Sequence, residues 1–132
     1  MAIDAIFAAS RFGLEFERLR LEAASHNIAI ANTPNVPGHP AQMLRAVTSA
    51  GASFGDSIGT TGLVAMDTTD RQVRDPSDPL ADKNGMVSYP GVDLVDEMST
   101  LVEAGRAYEA NIRAFNTLRG MALHALDIGG GS

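Results

Sequence analysis

The stretch DLVDEMSTLVEAGRAYEANIRAFNTLRGMALHALDI, Asp93 to Ile128, contains no proline and repeats apolar residues at heptad spacing. Leu94, Leu101, Tyr108, Phe115 and Ala122 stand seven apart, with Met98, Gly105, Ile112, Arg119 and Leu126 at the intervening positions of a 4-3 stripe. A stripe sustained this long predicts a helix with a coiled-coil seam rather than an ordinary amphipathic one. Asp93 suits the N-cap, and Asp96 stands at the third helical position, an acidic relative of the capping box. The helix would run roughly 50 Å at 1.5 Å per residue, with Gly129 as its expected stop. A second patch, Leu118, Met121, Ala125 and Ile128, turns to another side.

The N-terminal segment carries a matching pattern. From about Asp4 to Ala31 the residues suit a helix, and Phe7, Leu14, Leu21 and Ile28 recur every seven residues. On a wheel of about 100° per residue, two apolar stripes emerge. One holds Ile3, Phe7, Leu14, Leu21, Ala24 and Ile28; the other, nearly opposite, holds Phe12, Phe16, Leu19, Ala23 and Ile30. Arg11/Glu15 and Arg18/Glu22 are spaced for weak ion pairing. A monomer's surface helix needs one apolar face, so two imply packing on both sides. Asn32-Thr33-Pro34 ends the helix.

All six prolines fall between Pro34 and Pro90. In this middle part, Met43 to Thr48, Leu63 to Met66, Arg71 to Arg74 and Met86 to Tyr89 are candidate short strands. Gly51, Gly55, Gly59 and Gly62 punctuate a small-residue loop. Asp75-Pro76-Ser77-Asp78-Pro79 is a turn cluster, and Lys83-Asn84-Gly85 reads as a hairpin turn. The fold class is therefore mainly α: two long terminal helices paired as a coiled-coil-like hairpin, with a small irregular β-containing middle segment. The expected division is 1–31, 32–92 and 93–128, with 129–132 as a flexible tail. The middle is poor in large apolar residues and is expected to leave the second face of the first helix uncovered. Intermolecular packing is the expected remedy.

Composition narrows the function. The formal net charge is −6, which argues against nucleic acid as a partner, because phosphate neutralisation needs clustered Lys and Arg. Cysteine is absent, so disulfides, thiolate catalysis and cysteine-ligated zinc are excluded. The start of the chain lacks the basic opening of a secretory signal, and Arg11 interrupts its apolar stretch. That points to a cytoplasmic chain or one exported without a cleaved signal.

No chemistry-bearing constellation stands out. His26, His39 and His124 lie far apart and have no second ligand at metal spacing. Aligning Asp82, Asn84 and Gly85 to a calcium loop puts Leu80 and Gly91 at ligand positions, so a solvated turn is the better reading. No Gly-x-Ser-x-Gly elbow occurs. Gly55 and Gly59 are not followed by the lysine of a phosphate loop. Asp96 and Glu97 are favourable charge at a helix N-terminus. No catalytic, cofactor-binding or metal residue is assigned.

Three segments resemble the bacterial flagellar basal-body rod proteins, most nearly their proximal-rod type. Ser25-His26-Asn27-Ile28-Ala29-Ile30-Ala31-Asn32-Thr33 is similar to the family's Asn-Leu-Ala-Asn-x-x-Thr signature. Asp78 to Val87 resembles the segment before the family's C-terminal helix. Pro90-Gly91-Val92-Asp93-Leu94-Val95-Asp96-Glu97-Met98, followed by Arg106-Ala107-Tyr108-Glu109-Ala110-Asn111, is the most specific. Ile30 replaces the usual second Asn of the signature, and Gly38-His39 replaces a Gly-Tyr, displaced by Asn35-Val36-Pro37. The signature residues carried over are Asn27, Asn32, Thr33, Gly38, Asp93, Arg106, Tyr108 and Asn111.

The resemblance implies a structural subunit without catalysis, exported unfolded by the flagellar type III apparatus and assembled in the periplasm as a tube. Its implied partners are other rod subunits, copies of itself and the export apparatus, with the basal-body ring as a further candidate. No cofactor, metal or nucleic acid is implied. The assembly interface is assigned to Phe7, Phe12, Leu14, Phe16, Leu19, Leu21 and Ile28 of the first helix. In the second it is assigned to Leu94, Met98, Leu101, Tyr108, Ile112, Phe115, Leu118 and Leu126. The competing readings are another axial or needle-type subunit, an adaptor docking on one other protein, and an α+β ligand-binding or enzymatic domain. The last would need a deep pocket.

Overall fold

The computed structural model describes residues 2–49 and 59–130. Helix α1 spans Ala2–Ala31, and strands β1, Met43–Ser49, and β2, Thr60–Met66, form an antiparallel hairpin. Strands β3, Arg71–Arg74, and β4, Met86–Tyr89, form a second antiparallel pair, and helix α2 spans Leu94–Gly130. The terminal helices and all four strands lie where the sequence predicts them. Gly51 and Gly55 lie outside the described residues. Gly129 does not stop α2, which continues through Gly130.

The two helices pair antiparallel. Phe7 meets Phe115 edge to face, with ring centroids 5.4 Å apart. Gly13 lies against Asn111, and Leu21 reaches Gly105. Arg20 pairs with Glu17 at 3.0 Å on its own helix and approaches Glu103 of α2 at 3.7 Å. The seam of α2 keeps the predicted heptad series, and of its partner series only Gly105 faces α1. Leu94, Leu101, Tyr108, Phe115 and Ala122 are all half-buried, joined by Glu97, Ala104, Asn111 and Leu118. Met98, Ile112, Arg119 and Leu126 are exposed instead. The stripe is thus 3-4 rather than 4-3. The shift places Asn111 over Gly13 and buries the small side chain of Ala104, so the backbones approach closely.

The β1–β2 hairpin overturns one expectation, because it covers the second face of α1. Asn27, only 2% exposed, grips β1 from both sides of one peptide unit. Its Nδ2 donates to the Leu44 carbonyl at 2.9 Å, and its Oδ1 accepts from the Leu44 N–H at 2.7 Å. The His26 ring stands 3.0 Å from the Gln42 carbonyl. Leu19 and Ala23 are buried beneath the hairpin, with Phe12, Phe16 and Ile30 half-buried beside them. The small side chain of Ala23, on the same stripe as Leu19, lets a thin hairpin come close enough to serve as cover. Alpha helix α1 is therefore the middle layer, between the hairpin and α2.

Full burial is concentrated at one end. Leu19, Ala23, Ala24, Ala31, Val87 and Ala104 are the buried apolar residues, with Pro90 enclosed beside them. Buried Asn35 ties this end together. Its N–H donates to the Ser88 carbonyl at 2.7 Å, its Nδ2 to Asp70 at 3.0 Å, and its Oδ1 accepts from Ala41 N–H at 3.0 Å. Ser88 Oγ donates to the other oxygen of Asp70 at 2.8 Å. Val36-Pro37-Gly38-His39 is a tight turn closed by the His39 N–H on the Val36 carbonyl at 2.9 Å, with Gly38 at φ +82°. Proline then glycine is the sequence that a type II turn requires. Gly91 packs directly on the Thr69 carbonyl: an added Cβ would lie 1.9 Å from that oxygen.

Two substitutions test this architecture. Gly91→Ala is expected to destabilise the fold by about 1–3 kcal/mol or more, because the contact is backbone and cannot rotate away. Asn27→Ala is expected to cost about 1–3 kcal/mol, since it strands the buried Leu44 N–H and carbonyl. Denaturant midpoints measure both, and in the second case hydrogen exchange should quicken first along β1.

Candidate assembly surface

Among the described residues, the surface of α2 that faces away from α1 has no packing partner. Val95 is 73% exposed, Met98 52% and Val102 54%. Together with Ser99, Glu103 and Arg106 they line one shallow, open depression. A second apolar area lies at the opposite end of the helical pair. There Ile3, Ile6 and Phe7 of α1 and Leu118, Met121, Ala122 and Ala125 of α2 form a groove of about 240 Å³ with almost no polar lining. Helix α2 runs on past the described start of α1, and Leu123, Leu126 and Ile128 are more than half exposed there. The accessible surface is 9101 Å², against roughly 6,600 Å² for a compact monomer of this mass.

The residues assigned to the interface fall into three groups. Phe7, Leu14, Leu21 and Ile28 of α1, with Leu94, Leu101, Tyr108, Phe115 and Leu118 of α2, are buried or half-buried in the helical seam. Phe12, Phe16 and Leu19 lie beneath the β1–β2 hairpin. Met98, Ile112 and Leu126 are exposed and open to a partner. Val95 and Val102 escaped the sequence reading, although they stand seven apart and flank Met98. The adjacent stripe through Leu94 and Leu101 has the same spacing and larger side chains.

The signature residues separate as well. Asn27 is a structural clamp, as described above. Asn32 is exposed, and Thr33 Oγ1 donates to the Ala29 carbonyl at 3.2 Å, closing the end of α1. Gly38 supplies a turn. Asp93 caps α2, its Oδ1 accepting from the Val95 and Asp96 N–H groups at 3.0 and 3.2 Å. Asn111 fills the space above Gly13, Tyr108 is half-buried, and Arg106 is exposed on the outer surface. Nothing in the sequence marked Asn35, Asp70 or Gly91 as structural hubs.

The segment before β4 is stiffened by aspartates. Asp75 Oδ1 accepts from both the N–H and hydroxyl of Ser77, and Asp78 Oδ1 from the Leu80 N–H. Asp82 Oδ1 accepts from the N–H groups of Asn84 and Met86, which closes a turn holding Gly85 at φ +74°. That turn does not join two strands directly, as Lys83-Asn84-Gly85 suggested; it ends the β3–β4 connection. The hydroxyl of Ser77, then its N–H, hold the Asp75 carboxyl below the ordinary carboxylate range. Glu15 is likewise lowered by its hydrogen bonds from Arg18, the residue it pairs with in place of Arg11.

Among the described residues, no group of three or more His, Cys, Asp or Glu could hold a metal, and no helix is long and apolar enough to cross a membrane. A helical pair with apolar surface left for neighbours is the build of an assembly-forming protein. Comparisons give the class its name. The family described as "Flagellar basal body rod FlgEFG protein C-terminal" matches residues 83–128. The flagellar basal-body rod protein FlgC of Salmonella typhimurium LT2 is 34% identical over 98% of this chain and 99% of its own. The FlgC protein of Escherichia coli O157:H7 is 33% identical over the same shares. That of Bacillus subtilis 168 is 37% identical over 66% of this chain and 58% of its own. The chain belongs to the FlgC family of flagellar basal-body rod proteins. It is a structural subunit of the basal body, not an enzyme, and it assembles with other rod components.

The aspartate turns respond to acid in a predictable direction. Because Asp75 titrates lower in the fold than when unfolded, its contribution is complete above the usual carboxylate range and is lost as pH falls through the depressed value. The Ser77 amide resonance should therefore move at a lower pH than in an unfolded peptide of the same sequence.

Proposed function

We propose that this chain occupies the proximal segment of the rod, with α1 and α2 lining the inner wall of a helical tube. The β1–β2 and β3–β4 units face outward or bridge to neighbours. The chain travels through the flagellar type III apparatus unfolded and without signal cleavage, and it reaches its final packing in the periplasm. The absence of cysteine suits an oxidising compartment, since no mispaired disulfide can trap the chain. Helix α2, apolar toward α1 and apolar again on its outer side, suits a tube wall in which a neighbouring subunit supplies the second cover.

The observation that carries this reading is the uncovered α2 stripe of Val95, Met98 and Val102. Burying such side chains contributes about 25 cal/mol per Å² of apolar surface before ordering costs. The stripe also separates assembly from folding. Leu21 and Leu101 lie in the intramolecular seam, so a charge there would damage the monomer itself. Val102 touches no such seam.

Val102→Asp is therefore expected to leave stability within about 0.5 kcal/mol of the parent, as exposed substitutions do. It should nevertheless abolish complementation of motility in a strain lacking its own copy. Circular dichroism melts and swarm assays check the two halves. Normal swarming with a folded Val102→Asp chain would remove the stripe from the assembly surface.

A further inference from the structure

Among the described residues, the outer stripe of α2 and the far face of the β1–β2 hairpin are apolar surfaces left uncovered on different sides of α1. Strand periodicity and register put Leu44, Ala46 and Leu63 on one face of the hairpin, where all three are half-buried, and Arg45, Val47, Val64 and Met66 on the other, where all four are exposed. Val47, Val64 and Met66 are each about two-fifths exposed, at 38%, 46% and 43%. Gly62, cross-strand from Val47, leaves an open notch between them.

The two surfaces match in charge as well as in polarity. On the hairpin, Arg45 and Asp67 flank the apolar patch, and both line a small hollow at its base. The Arg45 Nε meets the Met66 sulfur at 3.4 Å, and among the described residues no carboxylate pairs with Arg45. On α2, Glu103 and Arg106, one of each charge, line the same depression as Val95, Met98 and Val102. Arg106 has no carboxylate partner among the described residues, and the side chain of Glu103 remains 71% exposed despite Arg20 at 3.7 Å. A hairpin laid over the α2 depression brings apolar against apolar. The same placement offers Arg45 to Glu103 and Asp67 to Arg106.

We propose that the far face of the β1–β2 hairpin of one copy seats on the outer α2 stripe of the next, an inference that rests on the assembly role above and names its partner surface. The two faces differ and lie on different sides of α1. The contact is therefore heterologous, and repeating it generates a ring or a helix rather than a closed dimer. The partner is a second copy of this chain.

Single-cysteine variants test it cleanly, because the chain has no cysteine of its own. Val47→Cys and Val102→Cys chains, co-expressed in a flagellated strain lacking its native copy, should form a disulfide-linked dimer of two copies in isolated basal bodies. Neither variant alone should form it. Adding Arg45→Glu to the first chain should lower the yield roughly tenfold, and adding Glu103→Arg to the second should restore it. No mixed product in assembled rods overturns the proposal. So does a Val102→Cys chain that cross-links to itself or to a different rod protein, although that outcome leaves the α2 stripe standing as an assembly surface. Normal swarming by the Val102→Asp chain would instead sink the assembly role beneath it.

Discussion

Helix α1 must be covered on two sides, and the rest of the chain is disposed to meet that constraint. Its stripe through Phe7, Leu14, Leu21 and Ile28 takes α2, and its stripe through Phe12, Phe16, Leu19 and Ala23 takes the β1–β2 hairpin. The two covers use different physics. Against α2, interdigitating side chains and the Phe7–Phe115 contact supply dispersion and apolar burial. Against the hairpin, Asn27 replaces a missing strand neighbour for the Leu44 peptide, so an edge that would otherwise need water is satisfied by one side chain. Once α1 is enclosed, α2 and the hairpin hold their outer surfaces free.

Much of this was legible in the sequence. Proline distribution and heptad spacing located both helices, and β-branched or alternating runs located the four strands. Asp93 was identifiable as a cap from its position alone. What escaped was the source of cover for α1. Cover was judged by the bulk of apolar side chains in the middle segment, which is small. The structure achieves it through close approach, because Ala23 presents little more than backbone. A polar residue with two bonds, Asn27, does what a large aliphatic side chain would otherwise do. The one-residue drift of the α2 seam has a similar origin. Met98 and Ile112 are the greasier candidates on paper, but Ala104 and Asn111 are the ones that fit against a glycine-containing helix.

The site itself was only partly readable. A stripe that packs within the chain and a stripe that packs between chains look alike in a sequence, since both are apolar residues at helical spacing. Leu101 and Val102 are adjacent and similar in chemistry. One is half-buried against α1 and the other faces solvent, and only the placement of α1 separates them. The hubs at Asn35, Asp70 and Gly91 depend on contacts between segments that are distant along the chain, which no local pattern records. The aspartate turns between β3 and β4 are the exception, because each carboxylate binds N–H groups within four residues of itself.

The buried side chains lie in the half of the helical pair that holds Asn35, Val87 and Pro90, while the opposite ends of the two helices hold half-covered and exposed ones. Sparse packing lowers the cost of local opening, so the end that carries Ile3, Leu123 and Leu126 is the one that can yield to a neighbour without disturbing the packed half.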